Sequence, residues 1–90
     1  MTERELRAAI NAALRTIDKA LAGDMQTARG EPAGSQLERL RARLLTMRNR
    51  GAVDADELRH MIRSVATWAP QDDVSLLSSL GAIARVRGSG

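Results

Sequence analysis

Residues 35–69 read SQLERLRARLLTMRNRGAVDADELRHMIRSVATWA, and the fold class follows from this stretch. Two helix starts stand in it: Ser35-x-x-Glu38 and Asp54-x-x-Glu57 each place a capping oxygen three residues ahead of a carboxylate. In such a box the capping side chain accepts the backbone N–H of the third helical residue, while the carboxylate reaches back to the cap's own N–H. Two donors otherwise left without partners are thereby satisfied. After the first box, Leu37, Leu40, Leu44 and Met47 follow the 3-4-3 spacing of a coiled-coil seam, and Gly51 suits a helix stop. After the second, Leu58, Met61, Ile62, Val65, Trp68 and Ala69 fall on one face, and Pro70 prevents unbroken continuation. Val53 and Leu58 form an apolar staple across the second cap. With so few residues between them, helices near 36–50 and 55–69 are expected to pair as an antiparallel hairpin.

Working toward the N-terminus, a third box, Thr2-x-x-Glu5, with Met1 and Leu6 as its staple, opens a helix over 3–22. Leu6, Ile10, Ala13, Leu14, Ile17, Ala20 and Leu21 make its apolar stripe, and Gly23 is placed to take the left-handed conformation that ends it. Residues 23–34, GDMQTARGEPAG, hold three Gly and one Pro. A twelve-residue connection of this composition is long for a compact bundle and is expected to be mobile. Toward the C-terminus, Pro70 through Asp73 suit a first helical turn, with Asp72 and Asp73 at the positive end of the dipole, so a fourth helix is expected over 71–86. Residues 88–90 read as a disordered tail, which leaves a single helical domain over 1–87.

Ninety residues make one domain of small size, which buries only about 60 to 65% of the surface its unfolded chain exposes, so oligomerisation would add needed stability. There is no Cys, Phe or Tyr and only one Trp, so the core must come from Leu, Ile, Val, Met and Ala, a set suited to helix packing. The net charge is +3, and its surplus lies in residues 35–69. No basic segment leads into an apolar stretch, so neither a secretory signal nor a membrane span is expected, and a cytoplasmic, bacterial-type protein is the default.

The fourth helix is compositionally unlike the rest. Val74 to Ala84, VSLLSSLGAIA, carries no charge. Val74, Leu76, Leu77, Leu80, Gly81, Ile83 and Ala84 sweep about half its circumference, wider than one neighbour needs. Leu76, Leu77, Leu80 and Ile83 are therefore candidate interface residues, with Leu45, which lies off the main seam, and Trp68, a side chain enriched at binding hot spots. The alternative is a central helix of a monomeric bundle.

Chemistry-bearing patterns are few. Asp56, His60 and Ser64 sit four apart and imitate hydrolase residue types, but they line an outward stripe with no oxyanion donors. His60 reads as a surface histidine interacting with Asp56. One His and no Cys cannot assemble a usual zinc set. Aligning Glu57 with the last ligand of a calcium loop puts Thr46, Arg48 and Arg50 at the coordinating positions, and Gly30 and Gly34 lack the Lys-Ser/Thr of a phosphate loop. No cofactor, metal or small-molecule substrate is expected. The arginines divide: Arg41 and Arg48 flank the apolar seam, whereas Arg39, Arg43 and Arg50, with Arg59 and Arg63 of the next helix, form a nucleic-acid candidate lacking stacking aromatics.

The sequence thus points to an all-α, four-helix bundle with a hairpin between its second and third helices, expected to be oligomeric. Its function reads as a non-enzymatic oligomerisation or adaptor module, a homodimer or the binder of a helical protein partner. The alternative is an Arg-rich nucleic-acid-binding or transcription-regulatory protein.

Overall fold

The computed structural model describes residues 3–88. Four helices follow in order: α1 (Glu3–Ala22), α2 (Gly34–Arg50), α3 (Ala55–Trp68) and α4 (Ser75–Gly88). The box at Thr2 and its staple at Met1 lie outside the described residues, as do the last two residues of the expected tail. Gly88 itself is helical, so α4 runs two residues past its expected end.

Cross-helix contacts set the directions. Arg41 Nε donates to Asp18 Oδ1 at 3.0 Å and Arg48 Nη1 to Asn11 Oδ1 at 2.9 Å, which places α1 and α2 antiparallel. Thr16 and Ser79 hydroxyls meet at 3.0 Å, and Ser75 shares a surface hollow with Lys19 and Gly23, so α4 runs antiparallel to α1. Arg87, near the end of α4, donates to the Val53 carbonyl just ahead of α3 at 2.8 Å. The closely packed pairs are α1 with α4, α1 with α2, and α3 with α4. The helix 2–helix 3 pair, expected as a hairpin, is not among them. Between α2 and α3, Arg39, Arg43, His60 and Ser64 stand beside Leu40 and Met61 and leave a groove rather than a closely packed contact.

One core runs through all four helices. Leu6, Ile10, Ala13, Leu14 and Ile17 of α1 meet Leu37, Leu40, Leu44 and Met47 of α2, Leu58, Met61 and Val65 of α3, and Leu76, Leu80 and Ile83 of α4. Val53 and Leu58 are both buried, as the staple reading required. Among the described residues no helix is long and apolar enough to cross a membrane.

The helix ends show where local chemistry decided and where it did not. Asp54 caps α3: its Oδ1 accepts the N–H of Asp56 at 2.8 Å and of Glu57 at 3.4 Å. The Glu57 carboxylate lies 3.6 Å from Arg50 Nη2, a pair that joins the end of α2 to the start of α3. Gly51 ends α2 in the left-handed region (φ 72°). Ala69 is extended, the conformation favoured ahead of Pro70, so α3 stops at Trp68 rather than at residue 69.

Three further helix ends differ from expectation. First, the left-handed residue after α1 is Asp24 (φ 51°), not Gly23. The Met25 N–H bonds the Ala20 carbonyl at 3.0 Å and the Asp24 N–H bonds the Leu21 carbonyl at 3.3 Å, a Schellman closure that puts the left-handed position one residue later. Second, Ser35 does not cap α2. Ala33 holds that position without a side-chain bond, fully buried, its N–H bonded to the Met25 carbonyl and its carbonyl accepting the Leu37 N–H. The start of α2 is thus set by docking of the preceding loop. Third, residues 70–73 form a turn, with the Asp73 N–H on the Pro70 carbonyl, and α4 begins at Ser75 rather than 71. Asp73 Oδ1 there accepts both the Ser75 hydroxyl, at 2.7 Å, and the Ser75 N–H, at 3.1 Å. These bonds, the hydroxyl first, hold the Asp73 carboxyl below its ordinary pKa.

The 23–34 connection folds back on itself. Gln26 and Pro32 form an isolated antiparallel bridge, the Thr27 N–H bonds the Glu31 carbonyl at 2.7 Å, and buried Thr27 accepts the N–H groups of Arg29 and Glu31. Its tip is tied to α3 through the Ala28 N–H and the Trp68 carbonyl, 2.8 Å apart.

Candidate functional site

The three close helix contacts leave one seam of the bundle open, between α2 and α3, and a groove of about 170 Å³ occupies it. Its floor is apolar: Leu40 and Met61 are buried, and Trp68 is half-buried at one end, where the Ala28 bond to its carbonyl anchors the loop. From α2, Gln36, Arg39 and Arg43 rise along one wall at helical three- and four-residue steps, and from α3 His60 and Ser64 line the other. The seven helical steps from Gln36 to Arg43, at about 1.5 Å each, make the groove about 10 Å long.

The two seams flanking α2 differ in their electrostatics. On the α1 side, Arg41 meets Asp18 and Arg48 meets Asn11. On the α3 side, Arg39 and Arg43 are exposed and have no ion pair among the described residues. Of the acids on α2 and α3, Glu57 lies beside Arg50, Asp56 is 3.3 Å from Arg59 and Asp54 sits on its helix cap, while exposed Glu38, next to Arg39 in sequence, is within ion-pair distance of neither groove arginine. Among the described residues no buried side-chain nitrogen or oxygen lacks a hydrogen-bond partner. What polar chemistry is free to act lies at the surface, and Arg39 and Arg43 are the part of it that borders the groove.

The sequence-predicted interface residues are largely inside. Leu76, Leu80 and Ile83 are 2%, 1% and 0% exposed, covered by α1 and α3 of the same chain, which corrects their reading as a partner-facing surface. The half-turn-wide apolar arc of α4 is wide because α4 packs on two helices of its own protomer. Leu77 and Leu45 are half-buried and pack against the same core, and only Trp68 of the six opens on the groove. Among the described residues, the exposed large hydrophobic side chain is Val74, just ahead of α4.

The five candidate nucleic-acid arginines do not share one face. Arg39 and Arg43 line the α2/α3 groove, Arg50 is held beside Glu57, and Arg59 and Arg63 border a shallow trough of about 380 Å³ between α3 and α4, with Ile62, Ala84 and Arg87. The expected contact between His60 and Asp56 is not made, since Asp56 turns to Arg59; His60 and Ser64 instead face the arginines of α2. Among the described residues no group of three or more His, Cys, Asp and Glu side chains is placed to hold a metal ion.

Sequence reasoning missed the groove as a unit. Leu40 and Met61 read as ordinary core, His60 and Ser64 as a solvated stripe. The signal was a polar stripe bordering the apolar seam on each helix, Gln36-Arg39-Arg43 on one and His60-Ser64 on the other. In comparisons with known proteins, no family model, no curated protein and no solved structure matches this chain.

Proposed function

We propose that the protein is a non-enzymatic contact module that binds another protein through the open seam between α2 and α3. One observation carries the reading: the seam that α1 closes has its arginines bonded across it, while the seam left open presents Arg39 and Arg43 uncompensated above an apolar floor ending at Trp68. Exposed arginines beside a half-buried tryptophan are the side chains that dominate protein interfaces. The groove's volume argues in the same direction. At about 170 Å³ it is smaller than the roughly 300–1,000 Å³ of sites that enclose a cofactor-sized ligand, and it suits inserted side chains.

Self-association through α4, the first expectation from sequence, loses its main support because the chain itself covers Leu76, Leu80 and Ile83. Nucleic acid is the weaker reading because the five arginines are divided among separate surfaces and no second aromatic is present for stacking.

The test is photo-crosslinking in the cell from a reactive residue placed at Gln36 or Ser64, with Ser78 on the outer face of α4 as control. The expected result is a discrete protein adduct from the groove positions alone. Adducts only with a second copy of the chain would return the function to self-association, nuclease-sensitive adducts would assign it to nucleic acid, and equal labelling from Ser78 would refute the seam as the contact surface.

A further inference from the structure

We infer that the groove recognises an acidic segment of its protein partner, one that presents two carboxylates about 6 Å apart beside an apolar side chain; this rests on the reading of the seam as a protein contact surface. The spacing comes from Arg39 and Arg43, four residues apart on α2, which a rise of about 1.5 Å per residue separates by about 6 Å along the groove. Each guanidinium offers a planar fork that matches a carboxylate, and neither has an acid of this chain in front of it among the described residues. The apolar requirement comes from the floor. Leu40, Met61 and the ring of Trp68 line a volume sized for a side chain, where burying apolar surface supplies affinity that two exposed charge pairs alone would not.

The rest of α3 sets the length of the negative segment. Toward the start of α3 from His60, at the end of the groove where Arg43 lies, come Glu57, Asp56 and the cap residue Asp54. There Arg50 lies beside Glu57 and Arg59 beside Asp56, so a continuous polyanion following the seam would meet no free cation past Arg43, while a short acidic segment needs none. At the other end the 26–32 turn, bonded to Trp68, closes the path. The geometry therefore selects a local pair of charges over a nucleic-acid backbone.

The experiment is selection from a randomised display library of peptides about 12 residues long against the whole chain. Binders are then titrated by the emission of Trp68, the only tryptophan in the protein. The expected binders carry Asp or Glu pairs at i,i+4 if helical or i,i+2 if extended, with an apolar neighbour. They shift Trp68 emission and weaken at least about tenfold in an Arg39→Gln/Arg43→Gln variant, the factor that loss of two partly exposed charge-assisted contacts produces. Both arginines are exposed, so the variant's thermal unfolding should match the parent's and a lost interaction is not a lost fold. Seam-dependent binders without acidic pairs, or acidic binders indifferent to the double variant, would overturn the acidic assignment and leave the seam as a contact surface. A selection that yields no binder perturbing Trp68 would overturn both.

Discussion

Leu80→Ala separates a core α4 from an interfacial one. Leu80 is 1% exposed in the single chain, on the helix that packs against both α1 and α3. The substitution removes three carbons, about 2 kcal/mol of transfer free energy at roughly 0.8 kcal/mol per buried methylene. Rigid helices on two sides limit collapse around the void, so the cavity contribution adds to this and the expected loss is about 3–4 kcal/mol. A domain of this length is stable by only about 5–13 kcal/mol, and each kcal/mol moves Tm by about 4–8 °C, so Tm should fall by at least about 12 °C. Leu77→Ala, on the same helix but half-buried, should cost about 1 kcal/mol. The assay is urea and thermal unfolding followed by far-UV circular dichroism at two protein concentrations about fiftyfold apart. A loss for Leu80→Ala below about 1.5 kcal/mol, near-equal losses at the two leucines, or a Tm that rises with protein concentration would each refute burial within one protomer.

Further outcomes follow from the helix ends and the loop. Gly81 lies inside α4 and a Cβ added there meets nothing within 4 Å, so Gly81→Ala should raise stability by about 0.5–1 kcal/mol in urea unfolding. Gly51→Ala should instead cost about 1–2 kcal/mol: its φ of 72° strains any side chain, while the Glu3 carboxylate oxygen 3.1 Å from the added carbon can swing away. Because the Asp73 carboxyl is lowered in the folded state, its contribution is fully present above the ordinary carboxyl range, about 4, and disappears as pH falls through the lowered value. Ser75→Ala should therefore raise the Asp73 pKa toward its ordinary value in an NMR titration, and destabilise the protein at neutral pH but not at strongly acid pH. Native-state hydrogen exchange should find the amides of Thr27, Ala28 and Ala33, each bonded to a carbonyl, slower than that of Arg29; uniform fast exchange over 23–34 would instead mark the connection as mobile.

What sequence patterns recorded well was whatever a single helix decides for itself. The apolar periodicity of α1 and of α3 predicts their buried faces nearly residue by residue, because a side chain's direction on a helix is fixed by its position. Asp54 and Gly51 act locally and stand where their chemistry requires. Ser35 shows the limit of that logic. Its box competes with a docked loop that buries Ala33 and bonds its N–H, and a contact from Met25, eight positions earlier, outweighs a cap supplied by the helix's own first turn.

The α4 arc and the α2/α3 groove fail to be legible for the same reason. Both depend on how many neighbours a helix has, and a helical wheel carries no such count. An apolar arc that is too wide for one neighbour describes a helix between two partners of its own chain as well as one reaching for another molecule; here α1 and α3 supply both partners. Once α4 lies between those two, α2 touches α1 closely but meets α3 only across a space that Arg39, Arg43, His60 and Ser64 line without filling. Closing that space internally would require apolar or oppositely charged side chains at these four positions, and the chain has neither there. Arg39 and Arg43 are exposed beside the buried Leu40 and Met61, and the seam stays open because each of the other helices has its apolar face taken up by a neighbour within the chain.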